Sequence, residues 1–99
     1  MYNIVKTESF KKLFHKLIPK NLQGDIERRI RKLSENPYNS KLLTERLREI
    51  KADKFRIYFV IIESKVLIVF VGVSDKKDQQ RMIDSLKEFD FEKYKNFGV

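Results

Sequence analysis

LREIKADKFRIYFVIIESKVLIVFVG, residues 47–72, decides the fold. Phe55–Ile62 (FRIYFVII) and Val66–Val73 (VLIVFVGV) are dense in β-branched and aromatic residues, the composition of strands. Glu63-Ser64-Lys65 between them is short and polar, a hairpin turn. Leu47–Lys51 (LREIK) reads as the preceding strand, although its polarity does not alternate cleanly. The long pair is apolar at consecutive positions, so both faces are apolar, whereas an antiparallel hairpin open to water keeps one face polar. Each face therefore needs a cover.

The flanking segments supply candidates. Upstream, Tyr2–Lys6 alternates weakly as a short first strand, and Thr7 offers an N-cap oxygen. Phe10, Leu13, Phe14, Leu17 and Ile18 then follow at i, i+3, i+4, i+7 and i+8, one apolar stripe of a helix. Pro19 breaks that helix and starts the next, which runs from about Lys20 to Glu35 with Leu22, Ile26, Ile30 and Leu33 inward. Gly24 weakens it by roughly 1 kcal/mol relative to alanine, and Asn36-Pro37 ends it. Residues 38–44 read as a loop in which Lys41-Leu42-Leu43 forms part of a turn. Downstream, Ser74-Asp75 caps a third helix with Met82, Ile83, Leu86 and Phe89 inward, and Phe91, Tyr94 and Phe97 suggest a docked tail. The helical hairpin covers one face of the strand pair; the other is left to the C-terminal segment or to another protein. The expected order is β-α-α-β-β-β-α. This is one α+β domain over residues 1–99, a helical hairpin packed on a mainly antiparallel sheet of about four strands, with a C-terminal helix.

Composition bounds the function. A chain of 99 residues has room for a single domain, and one this short buries only about 60–70% of its unfolded surface. Without cysteine there is no disulfide, zinc–thiolate site or cysteine nucleophile, which fits a reducing compartment. Val66–Val73 is far below the ~20 residues that span a bilayer, the first residues lack an apolar secretory run, and the expected location is cytoplasmic. The formal net charge is +8. Residues 1–50 hold twelve Lys/Arg against six Asp/Glu, and residues 51–99 hold ten against eight. Such a balance suits an anionic partner and equally a lysine-rich solvated surface.

Element order and motifs together resemble the RelE/ParE superfamily of toxins over nearly the whole chain. The helical hairpin ends in Glu35-Asn36-Pro37. Leu47-Arg48-Glu49-Ile50-Lys51 is similar to the family's Leu-aromatic-Glu-Ile/Leu-Arg strand. Phe55-Arg56 stands where the family usually has Tyr-Arg, and an apolar strand leads to Gly72. After Gly72 the chain departs from RelE: Val73 and Ser74 occupy the positions of a basic pair, which is displaced to Lys76-Lys77 and followed by Gln79, as in the HigB-like branch. No His or Tyr stands where a general base of the family would be expected near the C-terminus.

The resemblance implies a type II toxin, silenced by a cognate antitoxin in a hetero-oligomer, that cuts mRNA on the ribosome with no cofactor or metal. RNA can be cleaved by its own 2′-OH, so the protein's task is to position the strand and stabilise charge on the phosphoryl oxygens. Arginine suits this, since its planar fork holds two oxygens and keeps its charge. The implied catalytic residues are Arg56, Lys51, Arg81 and Lys77, and the implied RNA contacts are Arg46, Arg48, Lys54, Lys76 and Gln80. Five of these have a plain alternative. Arg56 can be a strand-end arginine paired with Asp53 or Glu63. Lys51 can be an edge-strand charge that deters aggregation. Lys76, Lys77 and Arg81 can form a salt-bridged helix start with Asp75 and Asp78 instead of a phosphate site. Lys77 and Arg81 would share a helical face, while Arg48 and Lys51 fall on opposite faces of a regular strand. His15 reads as a surface residue, and the Asp25/Glu27 and Asp75/Asp78 pairs lack a third ligand for a metal. Two other functions stay open: a ParE-like inhibitor of DNA gyrase that performs no chemistry, and an inactive RNA-binding relative.

Overall fold

A computed structural model describes residues 1–92; Tyr94 and Phe97 of the expected tail lie outside the described residues. The elements are β1 (Asn3–Lys6), α1 (Glu8–Leu17), α2 (Lys20–Leu33), β2 (Lys41–Leu42), β3 (Arg48–Ala52), β4 (Phe55–Ile62), β5 (Leu67–Asp75) and α3 (Gln79–Leu86). The expected order is present with one addition. Lys41-Leu42 pairs antiparallel with Glu49 and Arg48, so the described sheet has five strands in the order β1-β5-β4-β3-β2. The second helix stops at Leu33, short of Glu35. β3 to β5 form the antiparallel meander, and β1 joins its far edge parallel to β5 after the chain crosses over through two helices.

Both faces of β4 and β5 are buried, and two separate cores form on them. On one face Phe10, Phe14, Ile26 and Ile30 of the helical hairpin pack against Ile57, Phe59, Ile68 and Phe70. On the other, Tyr58, Val60, Val69 and Val71 lie under Leu86, with Met82, Ile83, Phe89 and Phe91 packed around them. The C-terminal segment therefore supplies the second cover. Thr7 joins helix to sheet: its hydroxyl accepts from the Phe10 amide at 3.1 Å and donates to the Phe70 carbonyl at 3.0 Å.

A bulge in β5 re-phases the strand. Tyr58 pairs with Gly72 but Phe59 pairs with Phe70, so Val71 is the extra residue. Val71 and Gly72 both face α3, and a Cβ on Gly72 would meet the Met82 sulfur at 2.9 Å. Beyond the bulge Val73 returns to the helical-hairpin core and Ser74 to the α3 side.

The sheet end carrying the β4–β5 turn is clasped by one carboxylate. Glu63 accepts from the Tyr2 hydroxyl at 2.7 and 2.9 Å and from the Tyr38 hydroxyl, which ties the N-terminus and the loop after α2 to the turn. Both phenols stabilise the anion, so Glu63 titrates below its ordinary 4.5, while hydrogen bonding to Glu63 pushes Tyr2 up to about 12. Because the folded Glu63 value is the depressed one, its stabilisation is complete above 4.5 and is lost as pH falls through the lower folded value. We expect Glu63→Gln to flatten this acid limb in urea midpoints measured against pH. The same turn holds Val66 at φ 49°, a left-handed conformation that costs a β-branched residue roughly 1–2 kcal/mol. Since Val66 is exposed, Val66→Gly is expected to raise stability by about 0.5–1 kcal/mol in the same denaturation assay.

Candidate functional site

Strand alternation assembles the site on the sheet face that carries α3. In β3, Ile50 and Ala52 go to the helical-hairpin core, which turns Glu49 and Lys51 the other way. In β4, Phe55 and Ile57 go to that core, which turns Arg56 and Tyr58 toward α3. Register then sets two rows across three strands: Lys51–Arg56–Ser74 and Glu49–Tyr58–Gly72. Side chains opposite each other in such rows have Cβ atoms roughly 4.5–5.5 Å apart, so Lys51 and Arg56 are direct neighbours.

Arg56 is 6% exposed. One terminal nitrogen donates to the Phe55 carbonyl at 3.3 Å, and among the described residues its buried Nε has no partner. Pairing with Asp53 or Glu63 is not realised: among the described residues Arg56 makes no ion pair, and Glu63 sits at the far end of the strand with the two tyrosines. An unpaired buried donor costs about 1–3 kcal/mol, and this one leaves the guanidinium with a donor available to a further acceptor. Tyr58 is fully buried, and its oxygen lies 2.7 Å from Ser74 Oγ. Ser74 donates its one hydrogen to the Asp75 carbonyl at 2.9 Å, so Tyr58 is the donor of the pair. Burial, opposed by the Ser74 hydrogen bond, holds the Tyr58 phenol above its ordinary 10.0, and it stays protonated at neutral pH. Glu49, 2% exposed, accepts from Gln79 Nε2 at 2.9 Å, and this bond fastens the start of α3 to β3. Two adjacent cations beside a buried phenol and carboxylate can receive a delocalised anion such as a phosphate group.

The other expected residues are not brought here. Arg48 lies on the opposite face, with its guanidinium 5.0 Å from the Tyr38 ring centroid and a bond to the Ser40 carbonyl at 3.2 Å. Arg46 pairs with Glu92 at 3.7 Å. Lys54 is in the β3–β4 turn over the Phe55 ring. Lys76 and Lys77 are exposed in the turn before α3, which begins at Gln79 rather than at Ser74-Asp75, so Lys77 does not share a helical face with Arg81. Gln79 points inward, and at 3.6 residues per turn Arg81 sits about 200° round from it. Arg81 is accordingly 86% exposed and 3.9 Å from Asp78. Gln80 bonds Asp84 at 3.0 Å. In the turn before the helix Asp75 accepts from the Asp78 amide at 2.9 Å. His15 is exposed, edge-on to Phe14. Among the described residues no three His, Cys, Asp or Glu are grouped to hold a metal ion, and no helix is long and apolar enough to cross a membrane.

A family model described as the ParE toxin of the type II toxin–antitoxin system parDE matches residues 4–87. The chain belongs to this ParE toxin family. The fold of this ParE-family toxin is shared with RelE toxins. Free Escherichia coli RelE, as a double arginine-to-alanine mutant, superposes with a TM-score of 0.72 at 16% identity over 89% of this chain and 97% of that one. The toxin in the intact E. coli RelBE toxin–antitoxin complex gives 0.66 at 18% identity over 76% and 96%. The Mycobacterium tuberculosis RelBE2 toxin–antitoxin complex gives 0.63 at 23% identity over 76% and 98%. A comparison with curated proteins found no match.

Tyr58, Ser74, Glu49 and Gln79 border the candidate site but were not among the expected site residues, although Glu49, Ser74 and Gln79 stand in the stretches compared with the family. Period-two alternation from Arg56 reaches Tyr58, and from Lys51 it reaches Glu49; nothing in the sequence announces the bulge that admits Ser74. Ser74→Ala leaves the buried Tyr58 hydroxyl without its acceptor and is expected to cost about 1–3 kcal/mol. Adding Tyr58→Phe should recover part of that loss, so a double-mutant cycle by urea denaturation returns a clear coupling; additive losses would mean the pair does not interact.

Proposed function

We propose that this ParE-family toxin is a metal-independent endoribonuclease that cuts mRNA at the ribosome and is neutralised by a cognate antitoxin. The observation that carries the reading is the Lys51–Arg56 pair, with the Arg56 Nε buried and unpartnered. In the reaction the substrate's 2′-oxygen bonds to phosphorus as the bond to the 5′-oxygen breaks. The proton lost from the 2′-OH ends on the leaving 5′-oxygen, leaving a cyclic phosphate and a 5′-hydroxyl. Negative charge grows on the non-bridging oxygens, and the buried Arg56 guanidinium opposes it without having to reorganise, with the Lys51 amine alongside. The antitoxin partner rests on the shared fold of two toxins that are found in complexes with their antitoxins.

A second reading, inhibition of DNA gyrase by binding alone, is favoured by the family match itself. Inducible expression with mapping of transcript ends separates the two. New mRNA ends with growth arrest support the nuclease, whereas arrest with intact mRNA and damaged DNA supports the gyrase inhibitor. Arg56→Ala is expected to lower cleavage about 10²–10³-fold, the scale of losing one preorganised donor to a developing oxyanion. Arg56→Lys should recover only part, because it restores charge without the fork. Full toxicity in Arg56→Ala would remove that arginine from the mechanism.

A further inference from the structure

A groove of about 680 Å³ runs between the second half of α2 and the β2–β3 edge, and it meets the candidate site at Lys51. It exists because β2 is two residues long: past Lys41-Leu42, β3 has no outer neighbour and α2 stands over its open edge. Its floor is apolar, from Leu33 and Ile50, and its walls carry Arg29, Lys32, Lys41 and Lys51. Arg29 is committed, to Asp25 at 3.2 Å and to the Lys51 carbonyl at 3.4 Å. Lys32, Lys41 and Lys51 are exposed, and among the described residues none of them makes an ion pair. Of the two acids lining the groove, Glu49 is buried and bound to Gln79, which leaves Glu35 alone against three amines. Lys41 pairs with Glu49, so it lies diagonal to Lys51 on the same sheet face, with Cα atoms roughly 7–8 Å apart. Lys32 borders the groove from the helical-hairpin side while Lys41 and Lys51 turn to the α3 side, so the free amines form a track around the open edge of β3 that ends beside Arg56.

Resting on the ribonuclease reading, we propose that this groove holds the single-stranded RNA flanking the cut, with backbone phosphates on Lys32 and Lys41 and the scissile phosphate beyond Lys51. The contacts are to phosphate, so they position the strand without reading its bases.

The test measures binding of a fluorescent single-stranded RNA of about 12 nucleotides by anisotropy at increasing KCl, in an Arg56→Ala background so that the probe stays intact. Each phosphate neutralised on a single strand contributes about 0.7 to the slope of log K against log salt. Lys32→Ala with Lys41→Ala should therefore lower the slope by about 1.4 and weaken binding at least tenfold near physiological salt. Lys12→Ala with Lys16→Ala, an equal loss of charge on the outer face of α1, should leave the slope unchanged. Equal effects of the two double variants would show diffuse attraction and overturn the track, as would no effect of the groove pair. Binding of a polyglutamate peptide that depends on Lys32 and Lys41, with RNA binding unaffected, would make the groove a peptide site and overturn it too. Failure of the ribonuclease reading is separable: intact transcripts with groove-dependent RNA binding would sink the cut and leave the track standing.

Discussion

The pairing of Phe55–Ile62 with Leu67–Asp75 is the constraint from which the rest of the molecule follows. Its residues are apolar on both faces, and each large side chain taken out of water stabilises the fold by about 1.5–3 kcal/mol. A small domain has few other sources of stability, so neither face can be left wet. The helical hairpin takes one and α3 the other. Arg56 and Glu49 are buried as a by-product. Arg56 and Glu49 lie at the margin of a sheet face that α3 closes over, and Gln79 sits at the contact because it is the first residue of that helix.

Much of this was legible in the sequence. The double-faced strands, the helical stripe from Phe10 to Ile18 and the Pro19 break are all periodicity or punctuation, and these depend on nearest neighbours in the chain. Lys51 and Arg56 were each singled out by motif, and it is the register of β3 with β4 that makes them neighbours. The residues that misled were those whose placement depends on a single step of phase. Lys77 and Arg81 share a face only if the helix begins before Lys77, and it begins at Gln79. Ser74 reaches the site only because Val71 is bulged. One inserted residue reverses which side chains face inward, and a β-bulge carries no residue signature that separates VFVGV from a regular strand. The strand at Lys41-Leu42 was missed for a related reason, since two residues hold no period to detect.

Charge was a poor guide in bulk and a better one in place. Many of the cations on α1 and α2 face water or pair with acids along the same helix, as Arg28 and Arg29 do with Asp25. Such exposed pairs are worth little. What distinguishes a few of the twenty-two basic residues is setting: Arg56 is buried with an open donor, and Lys32, Lys41 and Lys51 border a groove and make no ion pair among the described residues.

The parallel edge strand has a consequence in time. Thr7 and Phe70, joined by the hydroxyl–carbonyl bond at the end of β1, are 63 residues apart in sequence. Closing so long a loop is slow, and topologies dominated by non-local pairs fold slowly. During synthesis the N-terminal strand emerges first but has no partner until the last long strand has been made. The sheet is therefore completed late, and until then Lys51 and Arg56 stand on a scaffold that lacks its edge strand.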